Sequence, residues 1–275
     1  MVVGDGEARV SDDAESLGGE ALGRAGQRTV ATFFAPDPLA AGALVTLGED
    51  AAHHMRVRRL EPGDAIALRD GAGGTASGRL VRVAKSHAVV ELGAVGRVDP
   101  PPAVHLLPPV ADRERMFWLA DKVTELGAAS WRPVLWKRSR SVGPRGEGAG
   151  FQAKVRARMT AALVQSESAW LPEIHPDAPL DRALRALPDG ARVVLDPDGP
   201  PLDELPLAAP ICIAVGPEGG IEPRELDELA AAGFHRARVP GNILRFETAA
   251  IVGVALARAA ADRATRRSTT DPPNR

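Results

Sequence analysis

The segment ICIAVGPEGG, Ile211–Gly220, is followed further along the chain by VPGNILRFETAA, Val239–Ala250. The apolar run ICIAV ends abruptly in glycine and proline, which predicts a buried strand running into a turn that exposes the backbone. Pro223 suits the first turn of a helix after that turn, and Glu247 opens another helix in the second segment. Two glycine-containing loops at the ends of neighbouring strands predict a ligand crevice.

The bulk composition is that of an ordinary folded protein with two domains. The chain has 275 residues, 44% of them hydrophobic and 25% charged. The sequence contains no apolar run near the roughly 20 residues of a membrane span, and its N-terminus is acidic, so we expect a cytoplasmic protein. The single cysteine, Cys212, excludes disulfides within the chain and a Cys-rich zinc site, and we predict that it is a core residue.

The net charge of −2 does not exclude a nucleic-acid partner, because the charge is unevenly distributed. Residues 1–26 hold six acidic and two basic residues, so the remaining chain carries a small positive excess. A body of this kind can still present basic patches to phosphates.

The first part of the chain predicts a small β-barrel flanked by a disordered extension. Residues 1–27 are rich in Gly, Ser, Ala and acids without apolar periodicity, and residues 263–275 resemble them. Short strand patterns with turn signals fill residues 28–98, interrupted by one predicted helix, Glu49–Leu60. Three arginines crowd the end of that helix, where they either complement the helix dipole in water or contact phosphates; they are Arg56, Arg58 and Arg59.

The pattern changes after Asp99-Pro100-Pro101-Pro102, where we place a domain boundary. Residues 99–262 alternate strands such as WRPVLW, ARVVLDP and ICIAV with helices predicted at Arg113–Leu126 and Phe151–Ser168. Such alternation predicts a mostly parallel sheet covered by helices, an α/β fold.

The crevice lacks the usual nucleotide signatures. The sequence has neither G-x-G-x-x-G with an acidic residue about 20 positions on nor a Walker phosphate loop. GPEGG has instead one proline and three glycines, which let backbone amides and carbonyls approach a ligand. This geometry suits an adenine or amino-acid moiety held by main-chain contacts.

GPEGGIEPREL followed by ILRFETA resembles the paired signature of the RsmE family, methyltransferases that modify N3 of a uridine in 16S (small-subunit) ribosomal RNA. HHMRVRRLEPGD is similar to a segment of that family's PUA-like N-terminal barrel, and DKVTELGA and QSESAWLPEI resemble segments of its catalytic domain. The resemblance covers about Phe33 to Ala260. It implies a C-terminal SPOUT α/β domain with a deep trefoil knot, and it implies a homodimer.

The resemblance also implies a site that binds S-adenosylmethionine without a metal. The implied cofactor contacts lie in three segments, Leu195 and Asp196, then Gly216, Pro217, Glu218, Gly219 and Gly220, then Val239, Asn242, Ile243 and Leu244, with Thr248 beyond them. Arg245 is the first candidate for catalysis, because its guanidinium would stabilise the negative charge on the uracil base when N3 loses its proton. Glu247 is the second catalytic candidate. Glu247 and Thr248 could orient Arg245 or contact the cofactor, or could cap the following helix.

The implied RNA ligands are basic residues of both domains: Arg56, Arg59, Arg113, Arg115 and Lys122. The chain departs from the family pattern at Thr32, Phe117, Val164, Ser168 and Asn242. Several of these positions lack a charged residue that is common in the family, so two alternatives stay open. One is another SPOUT methyltransferase that acts on tRNA or a ribose hydroxyl; the other is an RNA-binding relative without turnover.

Overall fold

A computed structural model describes residues 31–139 and 145–270, with side chains up to Arg267. The predicted extension 1–27 and residues 271–275 of the predicted tail lie outside the described residues. The rest of that tail differs from the prediction, since the last helix continues from Phe246 to Thr270. Residues 263–267 read RATRR, all compatible with a helix, and the first breaker comes at Pro272.

The N-terminal domain is a five-stranded sheet curled around one helix. Its elements are β1 Ala31–Phe34, β2 Leu44–Leu47, α1 Glu49–Val57, β3 Ala65–Arg69, β4 Gly74–Val83 and β5 Ala88–Arg97. The strand order is β1-β3-β4-β5-β2, with β1 and β3 parallel and the other pairs antiparallel. Met55 of α1 is fully buried in a core with Ile66, Leu68 and Leu80.

The C-terminal domain is a parallel α/β sheet. Its elements are β6 Val104–Leu107, α2 Arg113–Glu125, β7 Ser130–Trp131, β8 Val134–Leu135, α3 Ala149–Gln165, β9 Glu173–Ile174, β10 Ala178–Pro179, α4 Leu180–Arg185, β11 Ala191–Leu195, a 3₁₀ turn Leu202–Glu204, β12 Ile211–Val215, α5 Pro223–Ala231, β13 His235–Ala237 and α6 Phe246–Thr270. The main sheet has the order β13-β11-β12-β6-β7-β9. Every residue of β12 is buried, as its apolar run predicts. Because all pairs in this sheet are parallel, β11, β12 and β13 end at one edge.

Three predicted boundaries were wrong. Helices α1 and α3 end before Leu60 and Ser168, because Arg59 and Glu167 adopt the left-handed conformation, with φ of 55° and 57°. WRPVLW is not one strand: β7 joins the main sheet, whereas β8 pairs with β10 in a separate ladder. Pro133 lies between them and cannot donate to a ladder.

The two domains join through backbone hydrogen bonds. Gly73 N donates to Ala169 O at 2.9 Å, and Leu171 N donates to Gly71 O at 2.9 Å. Gly73 has a φ of +93°, and a Cβ there would lie 2.5 Å from the Trp170 ring. Glycine is therefore required where the β3–β4 turn meets the segment after α3.

Candidate functional site

A cavity of about 600 Å³ opens at the carboxyl ends of β11, β12 and β13. Three loops and the start of α6 enclose it, and the lining residues are Leu195, Asp196, Pro197, Val215, Gly216, Pro217, Glu218, Gly220, Ile221, Leu226, Arg238, Val239, Gly241, Asn242, Ile243, Leu244, Phe246 and Ala249. The segments Ile211–Gly220 and Val239–Ala250 therefore meet at one site. Ligands of parallel α/β sheets bind at the carboxyl ends of the strands, so the sequence predicted this position.

Most of the predicted cofactor residues line this cavity. The exceptions are Gly219, which packs against Arg138, and Thr248, in the first turn of α6. Sequence reasoning missed several apolar and polar wall residues: Pro197, Val215, Ile221, Leu226, Arg238, Phe246 and Ala249. Ile221 follows GPEGG directly and Leu226 lies on α5, so the apolar positions just after the loop were the available signal.

The loop Gly216–Gly220 is held from both ends. A Cβ on Gly216 would lie 2.6 Å from Ile221 Cγ1, and Gly220 has a φ of +75°. After the loop, Glu225 is buried, and its carboxylate accepts from Glu222 N at 3.0 Å and from Lys137 N at 2.9 Å. These bonds fix the start of α5 and with it the position of the loop.

Three charged residues form a cluster at the edge of the cavity, named here the rim cluster: Arg115, Glu218 and Glu247. The Arg115 guanidinium is ion-paired with Glu218, and its Nε lies 3.9 Å from Glu247 Oε1. The hydrogen bond with Glu218 is the main cause that raises the pKa of Arg115. Glu247 is buried, and its Oε2 has no hydrogen-bond partner among the described residues.

Arg245 is placed differently from Glu247. Its side chain is exposed and does not line the cavity, although Leu244 and Phe246 on either side do. Its backbone carbonyl accepts from Ala249 N at 2.9 Å, which places it at the start of α6. The carboxylate of Glu247 contacts Arg115, so the two predicted catalytic residues are not paired with each other in this conformation.

The predicted RNA ligands do not form one group. Arg56 donates to the carbonyls of Ala84 and Lys85, both at 2.7 Å, and so holds the β4–β5 hairpin. Arg113 lies with its guanidinium 5.9 Å from the Phe151 ring, and Lys122 pairs with Glu125 at 2.7 Å. Arg59 is exposed on the turn after α1.

Two departures from the family pattern share one groove. A cleft of about 890 Å³ lies between β1 and α3, lined by Thr32 and Val164 among others.

Phe117 stacks on Phe151 with ring centroids 4.8 Å apart, and Arg158 lies over Phe117 at 5.8 Å. An aromatic pair thus occupies the place where the family pattern has an acid.

Cys212 offers no reactive thiol. It is fully buried, and burial raises the pKa of its thiol to about 11. Among residues 31–139 and 145–270, no three His, Cys, Asp or Glu side chains gather to hold a metal ion. Over the same ranges, no helix combines the length and apolar character that a membrane span requires.

Comparison with known proteins finds matches to both domains of the chain. Residues 99–258 match the RNA methyltransferase domain, and residues 47–93 match the RNA methyltransferase PUA domain. A curated relative from Mycobacterium bovis, named ribosomal RNA small subunit methyltransferase E, is 30% identical over 246 residues, covering 82% of this chain and 90% of its own. A relative of the same name from Synechocystis is 29% identical and covers 78% of this chain and 72% of its own.

Two solved structures are similar over most of their length. The ribosomal RNA small subunit methyltransferase E of Neisseria gonorrhoeae, bound to S-adenosylmethionine, has a TM-score of 0.73 and 27% identity, covering 82% of this chain and 95% of that one. A putative methyltransferase of Legionella pneumophila, also in complex with S-adenosylmethionine, has a TM-score of 0.77 and 26% identity, covering 85% and 98%.

Fold and site together define an S-adenosylmethionine-dependent RNA methyltransferase of the SPOUT class with a PUA-like domain. The predicted fold class and cofactor are thereby confirmed. The chain belongs to the ribosomal RNA small subunit methyltransferase E (RsmE) family.

Proposed function

We propose that this protein methylates N3 of a uridine in 16S ribosomal RNA, with S-adenosylmethionine as methyl donor. The observation that carries the proposal is the cavity in which GPEGG and the ILRFETA segment meet at the carboxyl ends of parallel strands. The family relatives, which act on small-subunit ribosomal RNA by their names, support the substrate class.

The cavity fits the methyl donor in size and in chemistry. About 600 Å³ lies within the usual range of small-molecule sites, roughly 300 to 1,000 Å³. Leu195, Ile221 and Phe246 give apolar wall for a flat base, while the glycine loop offers backbone groups for the polar ends. Bound there, S-adenosylmethionine supplies an activated methyl group on a positive sulfur.

The chain's own task is to align the acceptor nitrogen with that methyl and to stabilise the base as N3 loses its proton. We assign the second role to Arg245, whose exposed side chain stands between two cavity-lining residues. From there its guanidinium can reach a uracil carbonyl or a phosphate of an entering RNA strand. Glu247 is buried in the first turn of the same helix, with its Oε1 3.9 Å from Arg115 Nε.

We assign RNA binding to residues 28–98 and methyl transfer to residues 99–262. Arg59 and Arg113 are the ligands we favour for phosphates, because neither is paired with a carboxylate in an ion pair described above. Activity as a homodimer, on the small subunit and in the cytoplasm, belongs to the same proposal.

A second candidate is another SPOUT reaction, on tRNA or on a ribose hydroxyl. The groove that contains Thr32 and Val164 favours keeping it, because both lie where the family pattern has charged residues. Loss of charge at this groove between the domains should change which RNA the protein binds. It should have less effect on binding of the cofactor.

One assay separates these functions. Purified protein is incubated with methyl-labelled S-adenosylmethionine and, in parallel, small ribosomal subunits, free 16S RNA and tRNA. We expect label in the subunits, at N3 of a uridine after digestion and mass spectrometry. Label in tRNA or on a ribose overturns the N3 assignment, and no label in any RNA despite cofactor binding points to the relative without turnover.

A further inference from the structure

Arg115 connects the wall of the cavity to the helix that carries the proposed catalytic residues. Its backbone is fixed at the start of α2, because the Asp112 side chain accepts from the amides of Glu114 and Arg115, both at 3.1 Å. From that position its guanidinium reaches Glu218 in the glycine loop and Glu247 in α6. Three segments distant in sequence therefore share one cation.

We propose that Arg115 is a positioning residue for the methyl-donor site rather than an RNA ligand. Its guanidinium holds the loop Gly216–Gly220 in place through Glu218 and compensates the buried carboxylate of Glu247. The proposal rests on the proposed function only in taking the cavity as the site of S-adenosylmethionine.

The burial of Glu247 is the second observation that supports this role. Its side chain is 8% exposed, and its Oε2 has no hydrogen-bond partner among the described residues. Arg115 is the cation of the rim cluster, with Nε 3.9 Å from Glu247 Oε1. Without Arg115, a buried carboxylate would lose its compensating charge, a change that buried groups tolerate poorly. A guanidinium already engaged by two carboxylates is also a poor ligand for a phosphate.

Removal of Arg115 has two opposing effects on the cofactor. The freed Glu218 carboxylate would attract the positive sulfur, but its side chain is 51% exposed, so water screens that attraction. The loop would at the same time lose its tether to α2, which weakens every contact the loop makes. We expect the second effect to win, so affinity falls for charged and uncharged ligands alike.

The test compares Arg115→Gln with the wild type by calorimetry, using S-adenosylmethionine and the uncharged product S-adenosylhomocysteine. We expect both dissociation constants to rise by roughly tenfold, the loss of one charge-assisted hydrogen bond. Arg115→Lys should recover part of the loss. Arg185→Gln is the matched control, because it removes an exposed arginine paired with Asp181 on α4, and neither residue lines the cavity.

RNA binding is measured with the same variants on 16S RNA at two salt concentrations. We expect Arg115→Gln to keep the wild-type affinity and salt slope. Unchanged cofactor affinity together with a weaker, less salt-dependent RNA complex overturns the proposal. Tighter binding of S-adenosylmethionine alone, with S-adenosylhomocysteine unaffected, also overturns it, because it assigns Arg115 a purely electrostatic effect.

Glu218→Gln approaches the same contact from the loop. In a double-mutant cycle, Glu218→Gln and Arg115→Gln should be clearly less than additive on cofactor affinity, and additive effects contradict the proposed tether. Faster amide hydrogen exchange over residues 216–220 in Arg115→Gln is the expected structural signature. Since the cofactor measurements use neither RNA nor turnover, an error in the RNA substrate would leave them unaffected.

Discussion

Two polar clusters in the C-terminal domain are each built around an arginine, but only one of them has a buried polar atom without a partner among the described residues. In the rim cluster, Arg115 joins three segments at the mouth of a cavity, and Glu247 Oε2 has no partner among the described residues. The cluster therefore stands next to space that a ligand can fill. Its incomplete pairing is what marks it as a candidate for function.

The second cluster, named here the sheet cluster, is closed on itself: His105, Ser130 and Arg132. Ser130 Oγ lies 2.8 Å from His105 Nδ1 and accepts from Arg132 Nε at 3.0 Å, while Arg132 Nη1 donates to Ala186 O at 2.9 Å. His105 and Ser130 are register partners on β6 and β7. Because these contacts satisfy one another, buried polarity here indicates structure rather than chemistry.

The largest expected effect tests the cavity side of this comparison. Arg245→Ala should lower methyl transfer by about 100-fold or more, the usual cost of removing a group that stabilises developing negative charge. Because Arg245 is exposed and outside the cavity lining, cofactor affinity and the free energy of unfolding should stay close to wild type. Initial rates on small subunits, with calorimetry for the cofactor, measure both. An active variant would remove Arg245 from the mechanism.

The sheet cluster should respond in the opposite way. Ser130→Ala leaves Arg132 Nε and His105 Nδ1 without a partner in a buried site, so the free energy of unfolding should fall by about 2 kcal/mol. Methyl transfer per folded molecule should not change. Urea unfolding and active-site-normalised rates are the measurements. A stable variant with impaired turnover would mean that the two clusters are functionally connected.

Replacing a glycine of the loop Gly216–Gly220 by alanine should act mainly by weakening cofactor binding. The Cβ of Gly216→Ala would lie 2.6 Å from Ile221 Cγ1 and push that side chain, so the dissociation constant for S-adenosylmethionine should rise by roughly tenfold, a typical cost of overpacking. Gly150→Ala, at a helical glycine with open space, is the matched control and should bind like wild type. Equal behaviour of the two variants would contradict the tight fit of the loop.

The smallest effect is a pH dependence carried by His105 of the sheet cluster and by His175, whose pKa is lowered by burial and by the same Arg132. Burial, with Arg132 second, lowers the pKa values of His105 and His175 from the ordinary 6.5. Since the folded state disfavours the protonated forms, their contribution to stability is complete above about pH 6.5 and falls as the pH drops below it. The difference in unfolding free energy between pH 7.5 and 5.5, about a unit on either side, should shrink in a His105→Gln, His175→Gln double variant. Glu173, 3.3 Å from His175, opposes the effect and limits its size.

The sequence predicted the elements that depend on local pattern. The run ICIAV with its glycine turn and the answering ILRFETA segment located the cavity, because strand, turn and helix start are each written in neighbouring residues. It could not give the partners of Arg115, Glu247 or Arg56, since these are set by contacts between segments far apart. Arg56 illustrates the limit: as a residue in a basic helix end it predicts phosphate contact, yet in the fold it caps the carbonyls of a hairpin.

The contacts between the two domains fix the position of one domain relative to the other. Besides the backbone bonds at Gly71 and Gly73, Trp170 Nε1 donates to Val98 O at 3.1 Å, and Arg97 lies over the Trp170 ring at 5.5 Å. The PUA-like domain is thus a fixed arm rather than a tethered anchor, and it does not raise local concentration in the way a flexible linker does. Under the proposed function, RNA held by this domain would enter the cavity at a constant distance from the point where it is bound.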